Sequence, residues 1–349
     1  MGTVSGGNLI IIHGSGFGPT GPNVILFDDF EGGTNGNQLA TNLAPLGTWY
    51  DIGSPSDTSY SNINKVSGSL AARFDISSYG SNQHPMINTR SASPFDSFYI
   101  SFWSMLPTGN IYPGDGYGGA NWKVVWVTKD DSANDADICI GGNGWTWTHW
   151  FGNDSPVPST GMGIGTFLGS DANEFYMEDG VWYRWSWWQK GRTDATGATK
   201  MIMTNSTGGT WTASSITNIQ TLNSGDTNKR QQFNINGYVR ETPNSYPTFD
   251  DVYIATGEYA QARVEIGNAS IYTGSSILTP CLTPLGEAGT AWSTTSIQCT
   301  VRAGGLSNGT VYAYVTDADG LRSPGYAITF GSGGGDTTPP AAPINVTII

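Results

Sequence analysis

Three sets of residues in this chain have types and spacings that could do chemistry. The first holds neutral bases and hydrogen-bond donors. Gln83, His84 and Arg90 lie close together in SNQHPMINTR, His149 sits among tryptophans, and GYVRET carries Tyr238 and Arg240. A His or Tyr can take the proton α to a uronate carboxyl, and Arg, Gln or Asn can stabilise the enolate that forms. Glycoside hydrolysis is disfavoured. Glu174 and Glu178 in EFYMEDG fall on one face of a strand about 13 Å apart, whereas a retaining glycosidase needs its carboxyls at about 5 Å. The second set is aromatic: Trp145, Trp147 and Trp150 crowd the run GWTWTHWF beside Gly141, Gly142 and Gly144. Exposed indole faces stack on sugar rings and keep an N–H for hydrogen bonding, although alternating indoles can also fill a sheet-to-sheet core. In VWYRWSWWQKG, Trp185 and Trp187 share one face and are expected in the core, leaving Trp182 and Trp188 to look outward or into a cleft. The third set is acidic. Asp28, Asp29 and Glu31 in FDDFEGG and Asp250 and Asp251 in FDDVYI offer hard oxygens that suit Ca²⁺. The alternative is that one Asp of each pair satisfies backbone N–H groups at a bend.

These residues must be positioned by strands. With 48 Gly and 18 Pro, abundant Ser, Thr and Asn, and little Leu, Lys or Glu at helical spacing, the chain reads as nearly all β. FYISFWSMLP, NWKVVWVTKD, GVWYRWSWWQKG and ATKMIMTN are alternating or aromatic-dense runs bounded by turn residues, and their spacing suggests a two-sheet jelly roll. At the two ends, LIIIHGSGFGP (9–19) and AWSTTSIQCTV (291–301), running on to VYAYVTDADGLRSPGYAITF (311–330), read as halves of one small sandwich. If those halves pair, the segment between them enters and leaves through one loop, and the DDFE and FDDVY strands must be neighbours.

Two resemblances follow from these residues. The end segments, with their glycine turn, Tyr-Val-Tyr-Val-like strand and ADG.RS.GY.ITF run, resemble the immunoglobulin-like TIG (IPT) domain, usually a spacer or interaction module in surface and secreted proteins. The order FDDFE, Phe-Tyr-Ile-Ser-Phe-Trp, G.WYRW and FDDVYI is similar to the concanavalin A-like lectin/glucanase superfamily, which includes polysaccharide lyases, glycoside hydrolases and sugar-binding modules. Alginate-lyase-like members use a Gln-x-His strand, an Arg-rich strand and a Tyr-containing strand; here Gln83 and His84 are adjacent. The fold class implied is all-β, with a concanavalin A-like jelly-roll sandwich (25–272) inserted into a small immunoglobulin-like TIG/IPT sandwich (1–24 and 273–331). A Gly/Pro-rich linker and orphan strand (332–349) complete the chain.

The remaining features bound partners and compartment. A net charge of −13 opposes nucleic-acid and anionic-membrane binding. No apolar run approaches the ~20 residues that span a bilayer. Polysaccharide or another neutral polymer, with Ca²⁺ as a structural cofactor, is the expected partner. Cys281 and Cys299, 18 residues apart, allow a strand-to-strand disulfide worth about 3 kcal/mol, and such a bridge favours an extracellular or cell-surface protein. Ile344, Val346 and Ile348 alternate with polar residues after the linker; that strand could add to a neighbouring copy, giving a homo-oligomer or fibre subunit.

Overall fold

The computed structural model describes residues 3–53, 55–76, 85–105, 121–129, 136–143, 146–151, 180–206, 210–222, 230–240, 246–272, 279–281 and 291–331. Gln83, His84, Trp145 and the 332–349 tail lie outside these residues. For Trp147, His149, Trp150, Tyr238, Arg240 and Cys281 the backbone alone is described.

Strands dominate the described residues. The N-terminal segment forms β1 (Thr3–Val4) and β2 (Leu9–His13). The middle of the chain forms β3 (Asn23–Asp28), β4 (Asp51–Gly53), β5 (Thr58–Ser61), β6 (Ala71–Phe74), β7 (Met86–Phe95) and β8 (Phe98–Met105). It continues with β9 (Asn121–Lys129), β10 (Ala136–Asn143), β11 (Thr146–Phe151), β12 (Trp182–Lys190) and β13 (Gly197–Asn205). β14 (Thr210–Ile219), β15 (Arg230–Arg240) and β16 (Thr248–Thr256) follow. The C-terminal part supplies β17 (Arg263–Gly267), β18 (Thr279–Cys281), β19 (Ser296–Thr300), β20 (Gly309–Thr316) and β21 (Tyr326–Phe330).

Two sheets make the large sandwich. One has the order β11-β10-β9-β15-β7-β4; the other runs β14-β13-β12-β8-β16-β6-β5, with β3 also paired to β16. The core between them follows from period-two alternation. Phe98, Ile100 and Phe102 of β8 and Trp185 and Trp187 of β12 meet Val125, Val127, Phe233, Ile235 and Ile87 of the facing sheet in one buried cluster. The sequence expectation for Trp185 and Trp187 therefore holds: both are 0% exposed.

The other face of β8 is buried as well, which alternation alone does not give. Tyr99 packs with Val24, Phe27, Tyr253, Ala255 and Ala260, and Trp103 and Met105 pack with Trp182 and Ala71. The eight-stranded sheet thus has apolar layers on both sides, in the way parallel sheets usually do.

The small sandwich is made from both chain ends. Its five-stranded sheet has the order β1-β21-β20-β17-β18, and β19 pairs with β2 opposite it. Ile12 aligns with Ile297 and Ile10 with Cys299, and Phe17, Trp292, Ile297, Val311 and Val315 fill the core. β17 belongs to this sheet, since Ile266 pairs with Ala313 of β20. The boundary expected at 272 therefore moves back to the turn at 257–262. That turn is hidden in the sequence because ARVEIG continues the apolar alternation of FDDVYIAT across it. Cys299 is buried in this core, and the side chain of its expected partner Cys281 lies outside the described residues. The two cysteines lie on strands of opposite sheets, β18 and β19.

Candidate functional site

The outer face of the six-stranded sheet carries polar residues where its inner face carries the core. Strand register sets Asp51 opposite Asn88, Asn88 opposite Asn234, and Asn234 opposite Trp126. The same row continues through backbone positions 139 and 150 of β10 and β11. In the next row Arg90 pairs with Gln232, and Gln232 with Thr128. Neighbouring strands lie about 4.8 Å apart, so these side chains form a continuous patch of amides, a hydroxyl, a guanidinium and an indole.

The patch is internally ordered. Gln232 Nε2 donates to Asn234 Oδ1 at 2.7 Å, and Asn234 Nδ2 donates to Thr128 Oγ1 at 3.4 Å. The Arg90 guanidinium lies 5.4 Å from the centroid of the Tyr50 ring, which is 60% exposed. Asn88 Oδ1 is buried and has no hydrogen-bond partner among the described residues. Buried amide oxygens are nearly always paired, because desolvation without a donor costs about 1–3 kcal/mol. A binding site is one place where such an oxygen acquires its donor.

Of the residues singled out as a catalytic set, the structure places Arg90 on this face. His149 lies on β11, three strands from β15 and so roughly 14 Å away across the sheet. The backbone of His149 is in register with Ile140, which is in register with Val125 of the core row. Tyr238 and Arg240 pair with Lys123 and Asn121 beyond a register shift. Gln232, Asn234, Asn88 and Trp126 were missed in the sequence. Their signal was available: QQFNINGY alternates amides with core apolar residues, the pattern of a strand with one polar face.

Trp182 and Trp188 are not on this face. Both belong to the covered side of the eight-stranded sheet, Trp182 against Trp103 and Met105, and Trp188 against the Tyr99–Tyr253 cluster. Trp182 is buried there, at 8% exposure, and Trp188 is partly buried.

The acids of DDFE and FDDVY do come together, because β3 and β16 are antiparallel neighbours with Asp28 aligned to Val252. Their oxygens, however, serve the backbone. Asp28 accepts from the Phe30 amide at 2.8 Å and from Trp49 Nε1 at 2.6 Å, holding Phe30 at φ 56° and stacked on Trp49. Asp250 accepts from the amides of Val66, Ser67 and Asp251, and Glu31 from those of Ser69 and Leu70, each at 2.7 Å. A bulge puts Asp251 at φ 47°, where Asp is among the tolerated residues, and its Oδ1 accepts from Ser67 Oγ at 2.9 Å. Gly68 completes the corner at φ +56°, where a Cβ would meet Glu31 Oε1 at 2.4 Å. Burial pushes Asp28 and Asp251 up to about 7 and Asp250 well above the ordinary carboxylate range. Among the described residues no three His, Cys, Asp or Glu side chains are arranged to hold a metal.

A second charged cluster joins the two sandwiches. Glu265 of β17 accepts from Arg184 Nη2 at 2.5 Å and Arg322 Nη2 at 3.1 Å, with Arg263 Nε at 3.2 Å. Tyr272 Oη also takes a hydrogen bond from Arg184, at 3.1 Å. Burial alone would push the Glu265 carboxyl up, but the three guanidiniums hold it well below its usual range.

No family model matches this chain, and no curated protein matches it. Among solved structures it is similar to an endo-β-1,4-glucuronan lyase from the fungus Trichoderma reesei, at 14% identity over 64% of this chain and 96% of that one, with a TM-score of 0.44. A marine PL-14 alginate lyase from Aplysia kurodai matches at 12% identity over 60% and 90%, TM-score 0.43. The catalytic domain of a GH131 β-glucanase from Podospora anserina matches at 14% identity over 67% and 96%, TM-score 0.36. Likenesses this distant assign no activity.

Proposed function

We propose that this chain is a polysaccharide-directed protein that binds a glycan along the outer face of the six-stranded sheet. The observation that carries this reading is the buried, unpartnered Asn88 Oδ1 in a strand-registered row with Asn234 and Trp126. Amides and a hydroxyl match the alternating donors and acceptors of sugar hydroxyls, and an indole provides the apolar platform. Position 150 of β11, the edge strand of the same sheet, lies in this row. An extracellular setting and a TIG/IPT-like spacer role for the small sandwich belong to the same proposal.

A glycan array with wild-type protein tests binding. Trp126→Ala is expected to weaken it about tenfold, equivalent to ~1.4 kcal/mol, and an unchanged array signal would remove the face as the site. Elimination is the second reading, favoured by Arg90 beside Gln232, where donors could meet an enolate. Incubation with uronate polysaccharides should then raise ultraviolet absorbance from an unsaturated product, and Arg90→Ala should suppress it. Silence across such substrates leaves binding without catalysis.

A further inference from the structure

The small sandwich leaves one strand half-paired. β2 aligns with β19 in an unbroken antiparallel register, from Leu9 opposite Thr300 to His13 opposite Ser296, and among the described residues no strand pairs with its other edge. Along an antiparallel ladder, hydrogen-bonded and non-hydrogen-bonded positions alternate. The Val301 amide donates to Asn8 O at 2.8 Å and the Gly14 amide to Thr295 O at 3.0 Å, so Asn8, Ile10, Ile12 and Gly14 turn their backbone groups toward β19. Leu9, Ile11 and His13 therefore turn theirs the other way, and each presents one N–H and one C=O at the open edge.

The same residues carry the exposed side chains. Leu9 is 54% and Ile11 57% exposed, and His13 is exposed beside them, while Ile10 and Ile12 pack onto the core of the small sandwich. Folded proteins usually blunt such an edge with a charge, a proline or a bulge. β2 has none of the three: its register with β19 is continuous, LIIIH holds no proline, and residues 1–27 contain no Asp, Glu, Lys or Arg. A net charge of −13 repels copies of the chain from one another, and this edge adds no charge of its own to that repulsion.

We propose that the open edge of β2 is the interface for a second copy of this chain, the two strands pairing antiparallel about a two-fold axis at Ile11. The register follows from the alternation. Outward-facing backbone groups sit on odd-numbered residues alone, so Ile11 must face the partner's Ile11, and Leu9 the partner's His13, for every one of them to be used. Each donor on the edge then meets an acceptor, and the β19-β2 pair becomes half of a four-stranded sheet. Residues opposite each other in such a pair project to one face, so Leu9 and Ile11 of the two copies form a single apolar row. Strands of five residues, about 17 Å long, bury less than the ~1,200 Å² of a standard interface. The dimer is accordingly weak, with a Kd between about 1 μM and 1 mM.

Sedimentation of the full chain from about 1 μM to 1 mM should show a monomer–dimer equilibrium. Amide hydrogen exchange reads the register: Leu9, Ile11 and His13 should slow as concentration rises, whereas Ile10 and Ile12, already bonded to β19, should not change. Ile11→Lys sets like charges opposite each other at the axis; it should weaken dimerisation at least tenfold and leave the melting temperature in place. Ile11→Pro removes an outward-facing N–H, which an edge strand tolerates, and should weaken dimerisation equally. A monomer at every concentration overturns the proposal, as does a dimer that survives both variants. Full protection of the Leu9, Ile11 and His13 amides in dilute, monomeric protein also overturns it, because another segment of the same chain would then hold the edge.

Discussion

Asp28, Asp250 and Asp251 are carboxyls whose neutral form the fold favours, and this gives the protein a pH dependence of unusual sign. Their folded values lie above the ordinary 3.8, at about 7 for Asp28 and Asp251. The unfolded chain therefore releases these protons first, and their contribution, present in full below about pH 4, is lost as pH rises toward 7. Glu265 acts oppositely, because its folded value lies below 4.5: its stabilisation is present above that pH and lost on acidification. From these groups stability should peak near pH 4 and fall as pH rises toward 7, and a melting temperature that climbs from pH 5 to pH 8 would refute this. Asp251→Asn mimics the protonated acid and tolerates φ 47°. It should leave stability at pH 4 nearly unchanged and raise it at pH 8, flattening the profile. Asn88 offers a separate test of site against scaffold. Because its Oδ1 is already unpartnered, Asn88→Leu should hold or raise the melting temperature while weakening glycan binding several-fold. A purely structural Asn88 would change neither affinity nor array pattern.

At the scale of elements, what the sequence discloses depends on whether one strand or two are needed to read it. Core strands such as FYISFWSM and VWYRWSWW are legible singly, since their aromatic density and alternation are local properties. The neighbouring of β3 and β16 was also legible, because the split at the chain ends leaves little topological choice. The outer polar row was not, because it is spread over Asn88, Trp126 and Asn234, and strand order is needed to align them. The Arg184–Glu265 contact was hidden for the same reason, although an arginine inside WYRWSWW is itself a clue: a charge in a buried strand requires a partner. Glu265→Gln removes that partner from two buried guanidiniums and should lower stability by about 3–5 kcal/mol, read as a shifted urea midpoint. Adding Arg184→Met should recover part of the loss. Strict additivity of the two changes would mean that the side chains do not act as a unit.

For the molecule as a whole, the two sandwiches form one body. Tyr99, Trp103 and Tyr253 on the outside of the eight-stranded sheet are at most 4% exposed, and β17 with its turn supplies part of their cover. Removing residues 291–331 should therefore produce an aggregation-prone protein, not an independent jelly roll. Recovery of a soluble, cooperatively melting large sandwich from that truncation would show that the docking is dispensable. The meeting of the chain ends has a mechanical meaning besides. β1 and β21 run parallel, Thr3 beside Thr329 and Val4 beside Phe330, with the Gly331 amide donating to Val4 O at 2.9 Å. Tension applied between residues 3 and 331 pulls these strands in opposite directions along their length, so their hydrogen bonds are loaded together in shear instead of opening one by one. The large sandwich hangs outside that line of force, and its polar face would keep its shape while the protein is stretched between its two ends.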